Sequence, residues 1–373
     1  MDEVLTEQAG ALDRALALAE RGRGSVSPNP MVGAVVVAGD RVIGEGHHAE
    51  LGGPHAERAA LEDCRRRGAD PAGATMFVTL EPCAHHGRQP PCADTIAEAG
   101  ISRVVIASDD PSEKASGRGP GILRDHGVEV VFAAGEQAAA ARLLNQAFRK
   151  HARTGRPLVT LKLAMSLDGK VADATGGSRW ISGEESRALV HRWRAQADAV
   201  AVGIGTADAD DPLLSARQPG ARRQPLRVVF DSSARLSPGS RLLAGPDGGP
   251  VCVVTAPGAD PGRVEALRAA GAEVLVAAGD GYAARVTAAL GELGRRPVGE
   301  LMLEGGPVLA GAFADAGEVD QVRLFVAPIL IGAGRSAIEG GAALPVAEAA
   351  RALATESERV GDDVLVSARI REW

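Results

Sequence analysis

The sequence predicts an α/β protein made of two domains. Short runs of β-branched residues alternate with stretches rich in Ala, Leu and Arg, which is the pattern of strands that alternate with helices. The length of 373 residues exceeds that of a usual single domain. Gly155 and Pro157 end a long helical stretch and mark a linker. We therefore expect one domain over residues 1–152 and a second over residues 153–373.

The first domain is expected to open with an amphipathic helix, because apolar residues recur at helical spacing between Leu5 and Ala19. The Asn29-Pro30 pair interrupts that pattern before the β-branched run Val32–Val37, which predicts a strand. Further strands are predicted at Arg41–Gly46, Met76–Leu80, Arg103–Ala107 and Val128–Phe132, and further helices at Ala56–Arg67, Ala93–Ala99 and Glu136–Arg149.

The second domain repeats the alternation of apolar runs and helical stretches, with prolines and glycines marking its loops. Its strands are predicted near Leu158–Leu163, Ala199–Val202, Arg227–Phe230, Val251–Thr255, Glu273–Val276, Leu301–Leu303, Val322–Ala327 and Val364–Arg369.

The composition excludes several classes of protein. A net charge of −7 and an aromatic content of 3% argue against a nucleic-acid surface. No apolar run approaches the roughly 18 residues of a membrane span, and the acidic N-terminus does not fit a signal peptide. Four cysteines are too few for a secreted disulfide scaffold. We expect a cytoplasmic protein that acts on a small molecule, with no nucleic-acid or membrane partner.

Four residues in the first domain form a pattern typical of zinc-dependent base deaminases. His55 and Glu57 open a predicted helix, Cys83 follows a strand after Pro82, and Cys92 opens the next helix. One imidazole and two thiolates can hold zinc and leave its fourth position for a water, whose pKa the metal lowers. Glu57 stands close enough in sequence to His55 to move a proton from that water to departing ammonia.

The spacing of the two cysteines departs from the general deaminase signature. Eight residues separate Cys83 from Cys92, whereas the short form has two, and in that form the second ligand would fall on His86. The sequence leaves open whether His85 or His86 approaches the metal. A structural zinc site or two buried free thiols is the alternative interpretation, although a structural site would use a fourth protein ligand. Cys64 and Cys252 lack motif partners and are expected in the core.

The second domain carries glycine-rich turns at the ends of predicted strands. The strand at Leu301–Leu303 runs through Glu304 and the pair Gly305-Gly306 toward a helix, an arrangement that suits a diphosphate. It is not the glycine fingerprint of dinucleotide-binding folds. The residues alone therefore predict only an α/β domain with a nucleotide site.

Three segments identify a family. The segments 79–92 (Thr-Leu-Glu-Pro-Cys-Ala-His-His-Gly-Arg-Gln-Pro-Pro-Cys), 29–33 (Asn-Pro-Met-Val-Gly) and 44–48 (Gly-Glu-Gly-His-His) resemble the bifunctional deaminase–reductase family of riboflavin biosynthesis. Motifs in the second half, including 161–170 and 303–311, resemble the reductase part, so the likeness covers the whole chain. It implies a cytidine-deaminase-like three-layer α/β/α domain followed by a dihydrofolate-reductase-like α/β domain.

The resemblance implies a two-step activity with two cofactors, zinc and NADPH. A diaminopyrimidine bearing a ribosyl phosphate is deaminated in the first domain, with zinc on His55, Cys83 and Cys92 and with Glu57 as acid and base. NADPH then reduces the ribosyl group to a ribityl chain in the second domain. In the first domain the implied substrate contacts are Asn29, His48 and Arg88. Family members also suggest a homo-oligomer.

In the second domain the resemblance assigns one set of residues to the cofactor and another to the substrate. The implied cofactor contacts are Ala164, Trp180, Thr206, Asp210, Ser232, Gly306, Pro307, Val308, Leu309, Ala310, Gly311 and Ala312. The implied substrate contacts are Ser178, Arg194, Leu214 and Arg217, together with Glu304. The segment 110–119 lacks the family's usual residues at Ser112 and Glu113, so a direct substrate role for that loop is doubtful.

Several roles stay open at this level. Lys162 and Glu304 are the catalytic candidates for polarising or protonating the sugar, or else they bond to each other or to nearby backbone. Asp168 is expected in a turn, and the Asp210-Asp211 pair in a turn that orients the cofactor rather than at a metal. The rival function is a tRNA or polynucleotide base deaminase with an accessory second domain, and a zinc-stabilised interaction module is a third.

Overall fold

The computed structural model describes residues 2–84, 90–113, 115–217, 223–245, 248–340 and 345–373. They form two compact units, Met1–Gly155 with Trp373 and Arg156–Glu372. Both units alternate strands with helices, as the sequence predicts. The domain boundary between residues 152 and 153 stays a prediction. Within the described ranges, no helix has the length and apolarity that crossing a bilayer requires.

The first unit contains six helices and five strands among its described residues. Its helices are α1 (Asp2–Glu20), α2 (Ala56–Arg66), α3 (Cys92–Glu98), α4 (Arg118–Asp125), α5 (Glu136–Leu144) and α6 (Gln146–Thr154). Its strands are β1 (Gly33–Ala38), β2 (Arg41–His47), β3 (Thr75–Val78), β4 (Arg103–Ile106) and β5 (Glu129–Phe132). They form one sheet in the order β2-β1-β3-β4-β5.

The sheet of the first unit is covered by helices on both faces. Because side chains of a strand point alternately to opposite faces, Val36 of β1 packs with α2, α3 and α4, whereas Val35 packs with α1. Strands β3, β4 and β5 run parallel, so the ends of β3 and β4 open toward the same edge of the sheet. That edge carries the loops that follow β3 and β4, where Cys83 and Asp110 lie.

The second unit is built around a nine-stranded sheet with the order β11-β10-β9-β8-β12-β6-β13-β16-β15. Its strands are β6 (Leu158–Ser166), β7 (Lys170–Asp173), β8 (Ala199–Gly203), β9 (Leu226–Phe230), β10 (Val251–Thr255), β11 (Glu273–Val276), β12 (Glu300–Leu303), β13 (Gln321–Ala327), β14 (Gly334–Ser336), β15 (Ala354–Val360) and β16 (Asp363–Arg369). Its helices are α7 (Glu184–Gln196), α8 (Ile204–Asp210), α9 (Arg241–Ala244), α10 (Pro261–Ala269), α11 (Gly281–Gly294) and α12 (Pro307–Asp315), with a short 3-10 helix at Val346–Glu348. Strands β7 and β14 pair separately.

Two apolar cores lie on opposite faces of the nine-stranded sheet. One packs α11 and α12 against buried residues such as Leu161 and Leu303. The other packs α7, α8 and α10 against residues such as Val200 and Met302. The central strands β6, β8, β9, β10 and β12 run parallel, so their carboxyl ends share one edge, where ligands bind in open α/β sheets.

One predicted helix is interrupted in the structure. The predicted helix Glu136–Arg149 is divided at Asn145, whose φ of −107° departs from helical geometry. The Asn145 side chain accepts a hydrogen bond from the Met31 backbone N–H (2.8 Å) and donates one to the Met31 carbonyl (2.9 Å). This tertiary contact fixes the loop that contains Asn29, and helical periodicity in the sequence does not reveal it.

Candidate active sites

The predicted metal ligands of the first unit converge on one point. His55 immediately precedes α2, Cys83 follows β3, and Cys92 is the first residue of α3. The His55 Nδ1 atom lies 3.7 Å from Cys83 Sγ and 3.3 Å from Cys92 Sγ. Two tetrahedral zinc ligands at normal bond lengths are about 3.6 Å apart. The donor set therefore fits zinc, and among the described residues it is the only such cluster.

The surroundings of the two thiols favour metal binding. Hydrogen bonding with Cys92 and with His55 lowers the pKa of the Cys83 thiol to about 4, against the opposing effect of burial. The hydrogen bond with Cys83, followed by burial, raises the pKa of the Cys92 thiol. The metal-free pair thus keeps one proton, which a bound cation would displace.

Glu57 lies in the first turn of α2 beside this cluster, and its side chain is buried. Burial, followed by the negative charge of Cys83, raises the pKa of Glu57 to about 7. A group with a pKa near neutrality can both accept and donate a proton at physiological pH. This arrangement is what hydrolysis with departure of ammonia needs.

Asn29 and His48 form a hydrogen-bonded pair next to the ligands. The Asn29 amide nitrogen lies 3.1 Å from His48 Nε2, and His48 Nδ1 lies 2.9 Å from the Pro54 carbonyl. The carbonyl can only accept, so His48 donates from Nδ1 and its Nε2 accepts from Asn29. Among the described residues, the Asn29 side-chain oxygen has no hydrogen-bond donor. His48 packs edge-on against the His55 ring, with centroids 5.5 Å apart.

Three sequence predictions concern residues outside the described part of the chain. Arg88, a predicted phosphate contact, and His85 and His86, the open candidates for a role near the metal, all fall in the gap 85–89.

The loop after β4 is hydrogen-bonded to Glu81, a residue to which the sequence analysis assigns no role. Glu81 is buried, and its backbone N–H donates to the Ser108 carbonyl at 2.9 Å. Burial raises the pKa of its carboxyl group, against the opposing effect of the backbone of Asp110 and Gly117. Asp110 in turn accepts from the backbone N–H of Ser112 at 2.8 Å. Hydrogen bonds to backbone groups therefore stabilise the segment 110–119, which lacks the family's usual residues at Ser112 and Glu113. The two unassigned cysteines, Cys64 and Cys252, are buried in cores as expected.

The position of α2 depends on two glycines of β2. A Cβ atom on Gly46 would lie 2.4 Å from the backbone nitrogen of Ala60, and one on Gly44 would lie 2.3 Å from Cys64 Sγ. Helix and strand can approach this closely only without those side chains. Since α2 carries Glu57 and begins at His55, this packing sets the position of the metal cluster.

We expect Gly46→Ala to destabilise the first unit by about 1–3 kcal/mol, because the new methyl group collides with helix backbone rather than with a flexible side chain. Denaturant unfolding and chelator competition for zinc measure the effect. Gly10→Ala in α1 is the matched control, since no described atom lies within 4 Å of its Cβ position, and it should be neutral or stabilising. Equal behaviour of the two variants would contradict this packing role.

The second unit contains a cavity of about 1170 Å³ at the carboxyl edge of its parallel strands. This exceeds the usual 300–1,000 Å³ of a single small-ligand site, and so fits a dinucleotide together with a substrate. The predicted residues that line it are Lys162, Ala164, Ser178, Trp180, Arg194, Thr206, Asp210, Leu214, Arg217, Glu304, Gly306, Pro307, Val308 and Leu309. The structure thus brings most of the predicted reductase residues to one cavity.

Four predicted cofactor residues lie elsewhere. Ser232 does not line the cavity, and Ala310, Gly311 and Ala312 are buried in the body of α12. A Cβ on Gly311 would lie 2.2 Å from the Glu339 carbonyl oxygen, so packing explains this glycine. Gly306 immediately precedes α12, and a Cβ there would lie 2.9 Å from Thr206 Oγ1. Without a side chain at this position, the backbone at the N-terminus of α12 lines the cavity directly. This arrangement fits a diphosphate.

Arg194 and Glu304 form a bidentate ion pair in the cavity wall. Arg194 Nε donates to Glu304 Oε1 at 2.7 Å, and Nη2 donates to Oε2 at 2.8 Å. Burial acts to raise the pKa of Glu304, but Arg194 and Lys162 outweigh it and hold the pKa below its ordinary value. The pairing joins α7 to the end of β12, and the sequence did not reveal it.

Lys162 lies next to this pair without joining it. No hydrogen bond from Lys162 is found within the described ranges, and its Nζ lies 6.0 Å from the ring centre of Phe325. Burial lowers the pKa of Lys162, and Glu304 partly counteracts that effect. The open alternative in which Lys162 and Glu304 simply bond to each other is therefore not what the structure shows. Lys162 is an ammonium group available to a ligand in the cavity.

The carboxylates of the two aspartate motifs have local structural partners. Asp168 accepts from Ser166 Oγ (2.6 Å) and from the backbone N–H groups of Ile331 (3.1 Å) and Gly332 (2.7 Å). These bonds lower the pKa of Asp168 to about 2 and support the turn role expected from sequence. Asp210 contacts Ser178 at 3.3 Å, and the described residues place no metal-binding cluster around it.

Helix α7 is anchored by an acceptor from a distant strand. Asp363 of β16 is buried and accepts from the Gly183 backbone N–H (2.8 Å) and from Ser186 Oγ (2.5 Å) at the start of α7. Asp363 thus acts as the N-terminal cap of α7, because Gly183, the residue at the N-cap position, has no side chain.

We expect Asp363→Ala to destabilise the second unit by about 1–3 kcal/mol, because it leaves buried donors without an acceptor. Denaturant unfolding gives the change in free energy. The neighbouring Asp362 is exposed, so Asp362→Ala is the control that should unfold like the parent protein. An Asp363→Ala variant of unchanged stability would contradict the anchoring role.

Two family models match the chain. Residues 157–366 match the RibD C-terminal domain, and residues 6–108 match the cytidine and deoxycytidylate deaminase zinc-binding region. The first match lies within the second unit, which contains the cavity. The second match lies within the first unit, which contains the metal cluster. They agree with the predicted fold class of a deaminase-like domain followed by a reductase domain.

Curated relatives and solved structures match nearly the whole chain. It is 39% identical to the riboflavin biosynthesis protein RibD of Actinobacillus pleuropneumoniae over 355 residues, covering 95% of this chain and 93% of the relative. Identity to RibD of Escherichia coli is 38% over 367 residues, covering 94% and 96%. The solved Thermotoga maritima diaminohydroxyphosphoribosylaminopyrimidine deaminase/5-amino-6-(5-phosphoribosylamino)uracil reductase superposes with TM-score 0.83 at 36% identity, covering 98% and 99%. Acinetobacter baumannii RibD superposes with TM-score 0.86 at 35% identity, covering 99% and 100%.

Proposed function

The chain belongs to the RibD family of riboflavin-biosynthesis proteins, and from that premise we infer which of its residues carry each of two successive reactions. It is a bifunctional enzyme, a zinc-dependent deaminase and an NADPH-dependent reductase. One observation carries the residue assignment: His55, Cys83 and Cys92 converge beside Glu57 in one unit, and Lys162 stands beside the Arg194–Glu304 pair in the other. The rival function as a polynucleotide deaminase with an accessory domain is not favoured, since the second domain matches a reductase.

In the deamination step, Glu57 moves the proton. Zinc held by His55, Cys83 and Cys92 would supply a water that is acidic enough to attack the amino-bearing carbon of the pyrimidine. Glu57 takes a proton from the attacking water and delivers it to the amino nitrogen as the carbon–nitrogen bond breaks, so that ammonia leaves. The second proton of the water passes to the adjacent ring nitrogen, and a carbonyl remains. The pair of Asn29 and His48 orients the ring, because the Asn29 side-chain oxygen is free to accept from a ring substituent.

In the reduction step, Lys162 supplies a proton while NADPH supplies a hydride. Bound NADPH would supply that hydride to C1′ of the ribosyl group, and the C1′–oxygen bond of the sugar ring would break. The departing ring oxygen needs a proton, and the Lys162 ammonium lines the cavity and can donate it. Its lowered pKa makes that proton easier to give. Glu304 keeps the ammonium charged before the step, and Arg194 fixes Glu304.

The substrate is proposed to be a small phosphorylated pyrimidine, as the name of the Thermotoga maritima relative states for that protein. A nucleic acid or a membrane is not proposed as a partner. Two thiolate ligands must stay reduced, which supports a cytoplasmic site of action. A homo-oligomer formed through the second unit is supported by large apolar side chains that are more than half exposed there, among them Leu330 and Val346.

A coupled assay tests this function. Purified protein with zinc is given the diaminopyrimidine ribosyl phosphate, and ammonia release and NADPH oxidation are followed separately. Ammonia should appear with or without NADPH, and NADPH should be oxidised only after deamination begins. Protein that contains zinc and NADPH but leaves the substrate unchanged would overturn the proposal, whereas deamination without reduction would confine it to the first unit.

A further inference from the structure

His191, a residue that the sequence motifs do not single out, faces the reductase cavity from α7. It lies one helical turn before Arg194, on the same side of the helix. Its ring stands between two groups of the loop that follows α8. Nδ1 lies 3.2 Å from the Ser215 carbonyl oxygen and 3.3 Å from the backbone nitrogen of Arg217, and Nε2 lies 3.1 Å from Nη2 and 3.4 Å from Nε of the Arg217 side chain.

The contacts of Nε2 specify one protonation state of the ring. Those of Nδ1 do not, because the Ser215 carbonyl can only accept and the Arg217 backbone N–H can only donate. The Arg217 guanidinium can only donate, so Nε2 presents its lone pair. His191 is therefore neutral when it holds the Arg217 side chain, with its one proton on Nδ1 toward the Ser215 carbonyl.

Arg194 and Arg217, the two arginines of the cavity that the sequence predicts as substrate contacts, differ in whether their positive charge is neutralised. Arg194 is neutralised by Glu304, and its remaining Nη1 donates to the Ser215 carbonyl at 3.3 Å. Arg217 has no carboxylate partner among the residues described, and a neutral imidazole is what orients it. A carboxylate at that position would also orient the guanidinium but would cancel its charge.

The whole cavity is suited to anions. Among its described lining residues, eight side chains are Arg or Lys and three are Asp or Glu. A guanidinium with free donors is the group that binds phosphate oxygens bidentately. Arg217 is thus better placed than Arg194 to take the phosphate.

We propose that His191 is a positioning residue of the reductase, which aims the Arg217 guanidinium at the substrate's phosphate without neutralising it. This inference rests on the proposed reductase function of the second unit. Loss of the imidazole acceptor leaves Arg217 free to rotate, so phosphate binding weakens while the reacting groups Lys162 and Glu304 are unchanged.

The test compares His191→Leu, which removes the acceptor, with His191→Gln, whose amide can donate to Ser215 and accept from Arg217. Reduction is measured with the deaminated ribosyl phosphate and with the same compound lacking the phosphate. His191→Leu should raise KM for the phosphorylated substrate about tenfold, the loss expected for one charge-assisted contact, with kcat changed less than about twofold. It should leave kcat/KM for the dephosphorylated compound unchanged, and His191→Gln should restore KM.

Two results would overturn the positioning role. One is an unchanged KM in His191→Leu, and the other is an equal loss with both substrates. If wild-type protein oxidises no NADPH with either compound, the proposed function itself fails, which is a different outcome.

The pH dependence supplies a second measurement that needs no leucine variant. Burial and the charges of Arg194 and Arg217 lower the pKa of His191 below its ordinary 6.5, against the smaller opposing effects of the Ser215 carbonyl and Glu304. Below that pKa the ring gains a proton, loses its acceptor and repels Arg217. Since kcat/KM reports ionisations of the free enzyme, the wild-type value should fall more steeply below pH 6.5 than that of His191→Gln. Coinciding profiles would contradict the proposal.

Discussion

Glu57→Gln is expected to abolish ammonia release while zinc stays bound. The amide has nearly the shape of the carboxylate but cannot take a proton from water or give one to the leaving nitrogen. A positioned acid–base group contributes about 10²–10⁴ in rate, and here one group serves both transfers. The loss should therefore lie at the upper end of that range. Metal analysis and an ammonia assay on the same preparation measure both quantities.

Glu62→Gln is the matched control for this variant. Glu62 lies on the same helix, α2, outside the metal cluster, so the change tests for an effect of lost helix charge. It should deaminate at the parent rate. A Glu57→Gln protein that still releases ammonia would contradict the assigned role, and one that loses zinc would show that Glu57 acts in metal binding instead.

Lys162→Met is expected to stop reduction without preventing cofactor binding. Methionine fills nearly the same space but offers no proton, and the Arg194–Glu304 pair remains intact. The expected loss in kcat is again about 10²–10⁴. NADPH oxidation is followed with the deaminated substrate, and cofactor binding is followed by the fluorescence of NADPH.

Lys170→Met, on β7 of the same unit, removes a lysine that does not line the cavity, and it should reduce substrate normally. Lys162→Met with parent kcat would exclude Lys162 as the proton donor. A variant that no longer binds NADPH would point to a cofactor contact instead of a proton transfer.

The sequence predicted the metal cluster because each of its ligands lies in a short segment whose residue types can be recognised locally. Each ligand stands at the start of a helix or the end of a strand, and the residue types in that order admit few other uses. The alternation of short strands and helices was equally visible, since it depends on local propensity and periodicity.

The relations that sequence reasoning missed join residues far apart in the chain. Arg194 and Glu304 are 110 positions apart, and their pairing depends on α7 lying over the end of β12. Asp363 anchors α7 across 180 positions. Neither carboxylate has a sequence neighbour that indicates its partner. The division of one predicted helix at Asn145 has the same origin, a side-chain contact with Met31 that local propensity does not contain.

The sequence shows where the glycines are, but it does not show why each of these positions requires a glycine. Gly306 lies where a ligand's phosphates can approach bare backbone, whereas Gly311 is required because the backbone of residue Glu339 passes close to α12. Gly306 and Gly311 belong to the same sequence motif, 303–311, and only the packing around α12 shows that the two glycines are required for different reasons.

Mixing two inactive proteins tests most directly the claim that two separate sites carry successive steps. Glu57→Gln alone should neither release ammonia nor oxidise NADPH when given the diaminopyrimidine ribosyl phosphate. Lys162→Met alone should release ammonia but oxidise no NADPH. An equal mixture should do both, since the product of one chain is the substrate of the other. A mixture that still oxidises no NADPH, although Glu57→Gln reduces the deaminated substrate when supplied with it, would contradict two independently acting sites.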